Sequence, residues 1–331
     1  MARAISRSVD VTSTGGVRVD VGARISVVIP TRDAGPRLGL VLDAIAAQEC
    51  PFRSEVLAID SGSTDGTIER LEAHQARILN VSAGAFNHGQ TRNQALSAAR
   101  GDYTVLLVQD AVPASRGWLA SLVRPLQEDS SIAGTFARQL PADDASRLTS
   151  HYLSNWIAAD HQARVVGPLT AEAFARMSPA ERHATCAFDN VCSCIRLSVW
   201  REHPFATTPI AEDLEWARDV LCAGYKLAYV PDAVVCHSHE RSVRYELERT
   251  YLVHQRLHDL FGLATVPTMA SLIRAVVTTI PLNARVALDE PQHRFRALVR
   301  GAALGVAQPL GQYLGARASR EGRDLLRTNG I

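Results

Sequence analysis

Short apolar segments alternate with amphipathic ones over the first third of the chain, and this pattern restricts the fold to a few classes. Four apolar segments read as β-strands: residues 25–30 (ISVVIP), 55–60 (EVLAID), 77–81 (RILNV) and 103–108 (YTVLLV). The segments between them have the three- and four-residue spacing of helices. Nearly continuous apolar strands separated by helices predict an α/β fold with a mostly parallel central sheet flanked by helices.

The chain divides into three regions by composition. Residues 1–21 are rich in serine, glycine and arginine, and we interpret them as a loose N-terminal leader. Residues 22–240 contain the alternating pattern and its closing strands, and we assign them to one α/β domain. Residues 241–331 combine helical periodicity with an excess of arginine over acidic residues, which predicts a helical C-terminal extension.

The overall composition excludes several classes of function. The chain has 35 basic and 34 acidic residues, a formal net charge of +1, which argues against nucleic acid as a partner. We find neither the apolar N-terminal segment of a signal peptide nor an uninterrupted apolar run that spans a membrane. The 6 cysteines are thinly spread, which favours reduced thiols over disulfide bonds. We therefore predict a cytoplasmic protein.

Polar side chains follow three of the predicted strands. They are Thr31, Arg32 and Asp33 after the first strand, residues 60–66 (DSGSTDG) after the second, and Gln109 and Asp110 after the fourth. One such segment is an ordinary turn or helix cap, but ligands bind where the carboxyl ends of parallel strands meet. The sequence contains neither a GxGxxG nor a GxxxxGKS/T phosphate-binding pattern, so a nucleotide at this edge is held in another way.

The first two strands and the residues that follow them, VVIPT at 27–31 and IDSGSTDGT at 59–67, resemble the inverting nucleotide-sugar glycosyltransferases of family 2, which have the GT-A fold. Two others, FNHGQTRN at 86–93 and QDAVP at 109–113, are similar to the bacterial rhamnosyltransferase-like branch of that family. The resemblance implies a GT-A-like catalytic domain over residues 22–240. It also implies that Asp60 contacts the nucleobase and that four residues lie beside it: Thr31, Asp33, Ser61 and Gly62.

The FNHGQTRN segment leads into a predicted helix and adds candidates for binding the nucleotide sugar. Arg92 and Asn93 begin this helix, and its N-terminal amides together with a guanidinium suit a diphosphate. Taken alone, Arg92 would be interpreted as a solvated surface arginine. We include His88, which precedes them, and Gln109, which follows the fourth strand, in the predicted donor site.

A divalent cation is implied as a cofactor, because family members keep a D-x-D motif after the fourth strand. Here that position reads Gln109-Asp110-Ala111 and carries a single carboxylate. His237, after the last strand, is the candidate second ligand, and His239 is the alternative. Imidazole beside carboxylate favours Mn²⁺, with Mg²⁺ as the other choice. A structural zinc site built from cysteines is the competing interpretation, but the Cys-x-Cys spacing at 192–194 is not typical of one.

Residues 211–216 (AEDLEW) resemble the E-D-x-E/D-W segment in which the family has its catalytic base. Inverting transfer needs a carboxylate that accepts the proton of the acceptor hydroxyl as this hydroxyl attacks C1 of the sugar. We assign this role to Asp213. The alternative is that the acidic residues only stabilise the N-terminus of a helix.

The resemblance implies transfer of L-rhamnose from dTDP-L-rhamnose to a glycan or polyprenyl-linked acceptor in cell-surface polysaccharide synthesis. The alternatives are a UDP- or GDP-hexose donor and a catalytically silent subunit that binds a sugar nucleotide. Residues 293–317 form a basic amphipathic pattern around Phe295. This segment fits peripheral contact with the cytoplasmic face of the inner membrane, and equally a helix packed on the catalytic domain or between subunits of a homo-oligomer.

Overall fold

The computed structural model describes residues 23–82 and 87–328. The predicted leader at residues 1–21 and Phe86 of the FNHGQTRN segment lie outside these ranges. Within them, the strands form one nine-stranded sheet. The strands are β1 Arg24–Thr31, β2 Arg53–Asp60, β3 Arg77–Asn80, β4 Tyr103–Leu107, β5 Val112–Pro113, β6 Ile132–Leu140, β7 Arg164–Val166, β8 Cys192–Arg196 and β9 Lys226–Cys236.

Helices cover the sheet and continue beyond it. Those before β9 are α1 Arg37–Ala46, α2 Thr67–Ala73, α3 His88–Ala98, α4 Trp118–Glu128, α5 Arg147–Ser154, α6 Ala171–Arg176, α7 Pro179–Thr185, α8 Leu197–Glu202 and α9 Glu212–Cys222. The C-terminal region then forms α10 Val243–Phe261, α11 Met269–Leu288 and α12 Arg294–Glu321. The predicted α/β fold with a helical C-terminal region is confirmed.

The order of the strands is β3-β2-β1-β4-β8-β6-β9-β5, with β7 paired to β9. Strands β3, β2, β1 and β4 are parallel, as the alternating pattern predicts. The second half of the sheet mixes directions, because β8 runs antiparallel to both β4 and β6, whereas β6 and β9 are parallel. The carboxyl ends of β1, β2, β4 and β9 and the start of β8 therefore meet at one edge.

The sheet separates two hydrophobic clusters. One contains Leu38, Leu42 and Trp118 from the helices on one face. The other contains Phe188 and Trp216, together with further large side chains that include Leu57, Leu96, Phe136, Leu257 and Phe261. Burying each of these side chains contributes about 1.5–3 kcal/mol. Because Leu257 and Phe261 belong to α10, the first C-terminal helix is part of the core of the α/β domain.

Glycines allow α12 to lie directly on α10. A Cβ at Gly311 would come within 2.9 Å of the carbonyl oxygen of Leu247, and a Cβ at Gly315 within 2.2 Å of that of Tyr251. Such distances are too short for any side chain, so the two backbones touch only because these positions are glycine. The long last helix is thereby held against the α/β domain through α10.

Candidate active site

Asp60, at the end of β2, joins the loops that follow β1 and β2. Its Oδ1 accepts from the hydroxyls of Thr31 (2.9 Å) and Ser63 (2.5 Å), and its Oδ2 accepts from the backbone N–H groups of Gly62 and Ser63 (2.9 Å each). Burial works to raise the pKa of Asp60, but these hydrogen bonds lower it overall. The carboxylate is therefore ionised and uses all four of its acceptor positions. A nucleobase bound by Asp60 would have to share one of them.

A second set of bonds closes the β1 loop over the β2 loop. The backbone N–H of Asp33 donates to Ser63 Oγ (2.9 Å), and the Asp33 carboxylate accepts from the backbone N–H of Thr64 (2.8 Å). Gln109 reaches over from the end of β4, where its Oε1 accepts from the N–H of Arg32 (2.9 Å) and its Nε2 donates to the carbonyl of Arg32 (3.2 Å). The structure thus brings together the predicted donor-site residues of three strand ends: Thr31, Asp33, Asp60, Ser61, Gly62 and Gln109.

Asp110, His237 and His239 lie together beside this network, with one ligand atom of each within 4.8 Å of the others. His237 Nε2 is 3.6 Å from Asp110 Oδ1, and His239 Nδ1 is 3.2 Å from Asp110 Oδ2. The Nε2 atoms of the two histidines are 3.0 Å apart. The three residues meet because β4 and β9 end at the same edge of the sheet.

The chemistry of this cluster fits a divalent cation. Burial lowers the pKa of His237 and lowers that of His239 to about 4, so both imidazoles are neutral at physiological pH. Neutral imidazole and ionised carboxylate are the forms that bind metals, and this donor set suits Mn²⁺. The sequence left His237 and His239 as alternatives, whereas the structure places both beside Asp110.

Asp213 lies in the first turn of α9 and is partly exposed. Its Oδ2 accepts from the backbone N–H of Asn190 (3.3 Å), and its Oδ1 accepts from that of Leu214 (2.9 Å). Burial raises the pKa of Asp213 to about 8, with further contributions from the negative charges of Glu212 and Asp189. A carboxyl group whose pKa lies near the working pH is suited to act as a general base.

Arg92, which the sequence analysis places in the predicted donor site, pairs with a carboxylate of the protein. Its Nη1 donates to Glu212 Oε1 at 2.5 Å and lies 3.3 Å from His88 Nδ1. Arg92 is only 7% exposed and Glu212 only 4%, so the ion pair is buried. Although burial works to raise it, the charge of Arg92 keeps the pKa of Glu212 below its usual value. We therefore reassign Arg92 as a positioning residue that fixes the start of α9, where Asp213 lies.

Asn93 is also used within the protein. Its Oδ1 accepts from Trp200 Nε1 (2.9 Å) and from the backbone N–H of Phe205 (3.1 Å), while its Nδ2 donates to the carbonyl of Phe205 (2.8 Å). These bonds hold the segment that precedes α9 against α3. The amide of Asn93 therefore makes three hydrogen bonds within the protein.

Comparison with known proteins agrees with this geometry. Residues 26–183 match the family model described as Glycosyl transferase family 2. The O-antigen chain rhamnosyltransferase RfbN of Salmonella typhimurium is 33% identical over 235 residues, which cover 69% of this chain and 70% of that protein. The chain belongs to glycosyl transferase family 2. The family 2 chain is also 30% identical over 236 residues to the O-antigen chain rhamnosyltransferase WbaN of Salmonella anatum, with 68% and 70% of the two chains covered.

Solved structures support the fold of this family 2 protein. A mannosyltransferase of Pyrobaculum calidifontis, solved with GDP-Man and Mn²⁺, has a TM-score of 0.57 at 19% identity, covering 91% of this chain and 88% of that chain. Glucosyl-3-phosphoglycerate synthase of Mycobacterium tuberculosis, solved with Mn²⁺, UDP and its product, has a TM-score of 0.51 at 20% identity, covering 73% and 81%. The predicted GT-A-like fold is confirmed.

Three residues near the candidate site are not predicted by the sequence motifs. Asp189 and Asn190 precede β8, and the antiparallel direction of β8 brings them to the same edge as Asp110. Arg249, on α10, adds to the effect of burial in lowering the pKa of His88, His237 and His239 at this edge, and of His254 on its own helix. Its guanidinium forms no ion pair with any residue in the described ranges. Only the topology reveals these residues, because none lies in a recognisable motif.

Proposed function

We propose that this family 2 protein transfers L-rhamnose, with inversion, from dTDP-L-rhamnose to a glycan or polyprenyl-linked acceptor at the cytoplasmic face of the membrane. Two O-antigen chain rhamnosyltransferases of similar sequence support the choice of sugar and of pathway class. The observation that carries the catalytic part of the proposal is Asp213. It is a half-buried residue whose carboxyl group has a pKa raised to about 8, at the same edge of the sheet as Asp110 and the two histidines.

Different residues of the chain have different roles in the transfer. The loops after β1 and β2, which are joined by hydrogen bonds of Asp60 and Gln109, bind the nucleoside. Arg249, which pairs with no carboxylate among residues 23–82 and 87–328, offers a positive charge to the diphosphate that leaves. Asp213 accepts the proton of the acceptor hydroxyl as its oxygen forms a bond to C1 and the bond from C1 to the diphosphate breaks. Such a base contributes a factor of about 10²–10⁴ to the rate, and no covalent intermediate with the enzyme is needed.

Asp110, His237 and His239 are the residues that would hold a divalent metal in this mechanism. When bound, Mn²⁺ or Mg²⁺ supplies electrostatic stabilisation of the negative charge on the diphosphate. Asp110 lies 3.6 Å from His237 Nε2 and 3.2 Å from His239 Nδ1, so the three side chains are already grouped without the metal.

The test is a screen of the purified protein against dTDP-rhamnose, UDP-glucose and GDP-mannose, with Mn²⁺ and with EDTA. We expect release of the nucleoside diphosphate from the rhamnose donor alone, and its loss with EDTA. Asp213→Asn should reduce turnover by about 10²–10⁴ while donor binding, measured by calorimetry, is retained. Release from UDP-glucose or GDP-mannose instead would replace the proposed donor. Binding without turnover in the presence of a lipid-linked acceptor would favour a silent sugar-nucleotide-binding subunit.

A further inference from the structure

The last two helices form an antiparallel pair that is anchored to the catalytic domain along one side. Gly301 and Gly305 of α12 lie against Asn283 and Ile280 of α11. The side chain of Asn283 is fully buried, where its Nδ2 donates to the carbonyl of Gly301 (2.9 Å) and its Oδ1 accepts from Tyr152 Oη (2.8 Å). One side of α11 is therefore fixed by polar contacts that leave the opposite side free.

Both helices carry exposed apolar side chains. Six residues define what we call the apolar face: Ile273 (60% exposed), Val277 (64%) and Leu288 (55%) of α11, and Phe295 (77%), Val299 (55%) and Val306 (42%) of α12. Their spacing places them on one side of each helix. By length and composition α11 could even cross a bilayer, although Arg274 and Arg285 interrupt its apolar sequence. An exposed apolar surface of this kind marks an interaction site.

Positive charge surrounds the apolar face. Four exposed arginines lie on α11 and at the start of α12: Arg274, Arg285, Arg294 and Arg296. Helix α11 contains no acidic residue, and the first one in α12 is Glu321, at its end. Between residues 269 and 320 the acidic residues are Asp289 and Glu290, in the turn between the helices. Apolar side chains within a basic border are complementary to the interface of an anionic bilayer.

A groove beside α12 includes part of this face and the residue that follows His239. The groove has a volume of about 1160 Å³, and Phe295 and Val299 of the apolar face line one side of it. Glu240, which directly follows His239, lines the other side and pairs with Arg300 of α12 at 3.3 Å. A molecule that extends along this groove from Phe295 and Val299 therefore reaches Glu240.

We propose that the apolar face docks on the surface of an anionic lipid bilayer, with the groove open toward it. Helices α11 and α12 then lie along the interface, and the arginines contact lipid phosphates. The purpose of this surface rests on the proposed lipid-linked acceptor, whose tail stays in the bilayer while its sugar enters the groove. The docking itself involves neither donor nor acceptor, so it is tested separately.

The test is co-sedimentation of the full chain with phosphatidylcholine vesicles, with and without phosphatidylglycerol. We expect binding to the vesicles that contain phosphatidylglycerol, and its weakening by salt. The variants I273S/V277S and R274E/R285E should each lower the partition coefficient by at least about ten-fold. Matched controls change residues of equal exposure elsewhere: L40S/V165S and R176E/R201E. These controls should bind as the wild type does.

Circular dichroism establishes that each variant is folded, and donor hydrolysis without vesicles should be unchanged in I273S/V277S. Equal vesicle binding by this variant and the wild type would overturn the proposal. So would a wild-type dimer that I273S/V277S converts to a monomer in size-exclusion chromatography, because the face would then be covered by a second copy of the chain. Absence of donor hydrolysis in a wild type that still binds vesicles would refute only the proposed enzymatic function.

Discussion

The surroundings of Asp213, the proposed base, disfavour the ionised form of its carboxyl group. Burial is the largest cause of its raised pKa, and Glu212 and Asp189 add to it. Glu212 is held by Arg92, so its removal would leave a buried arginine without a partner. Asp189 instead accepts from Gln139 (2.6 Å) and from Trp156, which are neutral donors. Asp189 is therefore the neighbour whose charge can be removed with the least disturbance.

We expect Asp189→Asn to shift the pH dependence of transfer. The base must be ionised, so kcat/KM falls as the pH drops through the pKa of Asp213, which is about 8. Removing a nearby negative charge favours the ionised carboxylate and lowers this pKa. The acid limb of the pH profile should therefore move to lower pH by roughly one unit. Asp232→Asn, at an exposed position of β9, serves as the control, and an unmoved limb in Asp189→Asn would contradict the assignment of the base.

The histidines at the end of β9 should determine metal affinity. Because both imidazoles lie beside Asp110, His237→Ala and His239→Ala should each weaken Mn²⁺ binding by at least about ten-fold. Calorimetric titration of the metal into the protein measures this without reference to activity. His151→Ala, which removes a histidine packed beside Tyr152, should leave the affinity unchanged. Equal affinity in all three variants would place the metal elsewhere.

The buried pair of Arg92 and Glu212 should contribute to stability. Arg92→Met leaves the Glu212 carboxylate buried without its cation, and we expect it to lower the free energy of unfolding by about 3–5 kcal/mol. Replacing both residues, as R92M/E212L, should restore much of this loss. Urea unfolding measures both effects. If Arg92→Met instead kept the stability of the wild type and lost donor binding, the result would support a contact between Arg92 and the diphosphate.

The residues of the site differ in how much the sequence reveals about them. Asp60, Asp110 and His237 follow strands, so the rule that strand ends meet at one edge predicts that they converge. The partner of Arg92 could not be predicted, because the ion pair depends on how α3 packs against α9. Asp189 gives no signal either, since a residue before a strand reaches this edge only if that strand is antiparallel.

Among the elements, α3 shows how closely the site is packed. A Cβ at Gly89 would lie 1.9 Å from the carbonyl oxygen of Ala206, in the segment that leads to α9. We expect Gly89→Ala to lower the free energy of unfolding by about 1–3 kcal/mol or more, because this backbone must move. Gly39→Ala, within α1, meets nothing within 4 Å and should raise stability by about 0.5–1 kcal/mol. Thermal unfolding of both variants measures the contrast, and equal melting temperatures would show that α3 is free to shift.

The sequence predicts the directions of only some of the strands. For β1, β2 and β4, intervening helices imply crossovers and thus parallel pairing, which the structure confirms. Strand β8, Cys192–Arg196, is apolar and buried along most of its length. A strand buried on both faces gives no sequence signal for its direction. Its antiparallel pairing depends on which strands lie beside it in the folded sheet. The local sequence does not specify this.

At the scale of the whole molecule, α10 joins the catalytic domain to the last two helices. Its inner side contributes Leu257 and Phe261 to the cluster that contains Trp216. Its outer side receives Gly311 and Gly315 of α12. The boundary predicted at residue 240 therefore marks a change of secondary structure, and the core continues across it.

This continuity predicts that the chain unfolds as one unit. The tryptophans, Trp118, Trp156, Trp200 and Trp216, all precede α10, so their fluorescence reports on the α/β domain, whereas circular dichroism at the helical band also reports on α10–α12. We expect the two signals to change together in urea, and Phe261→Ala to move both to lower urea by the same amount, at a cost of about 3–5 kcal/mol. Leu40→Ala, at an exposed position of α1, should move neither. Two separate transitions, with only the dichroism altered by Phe261→Ala, would mean that the C-terminal helices fold independently of the site they adjoin.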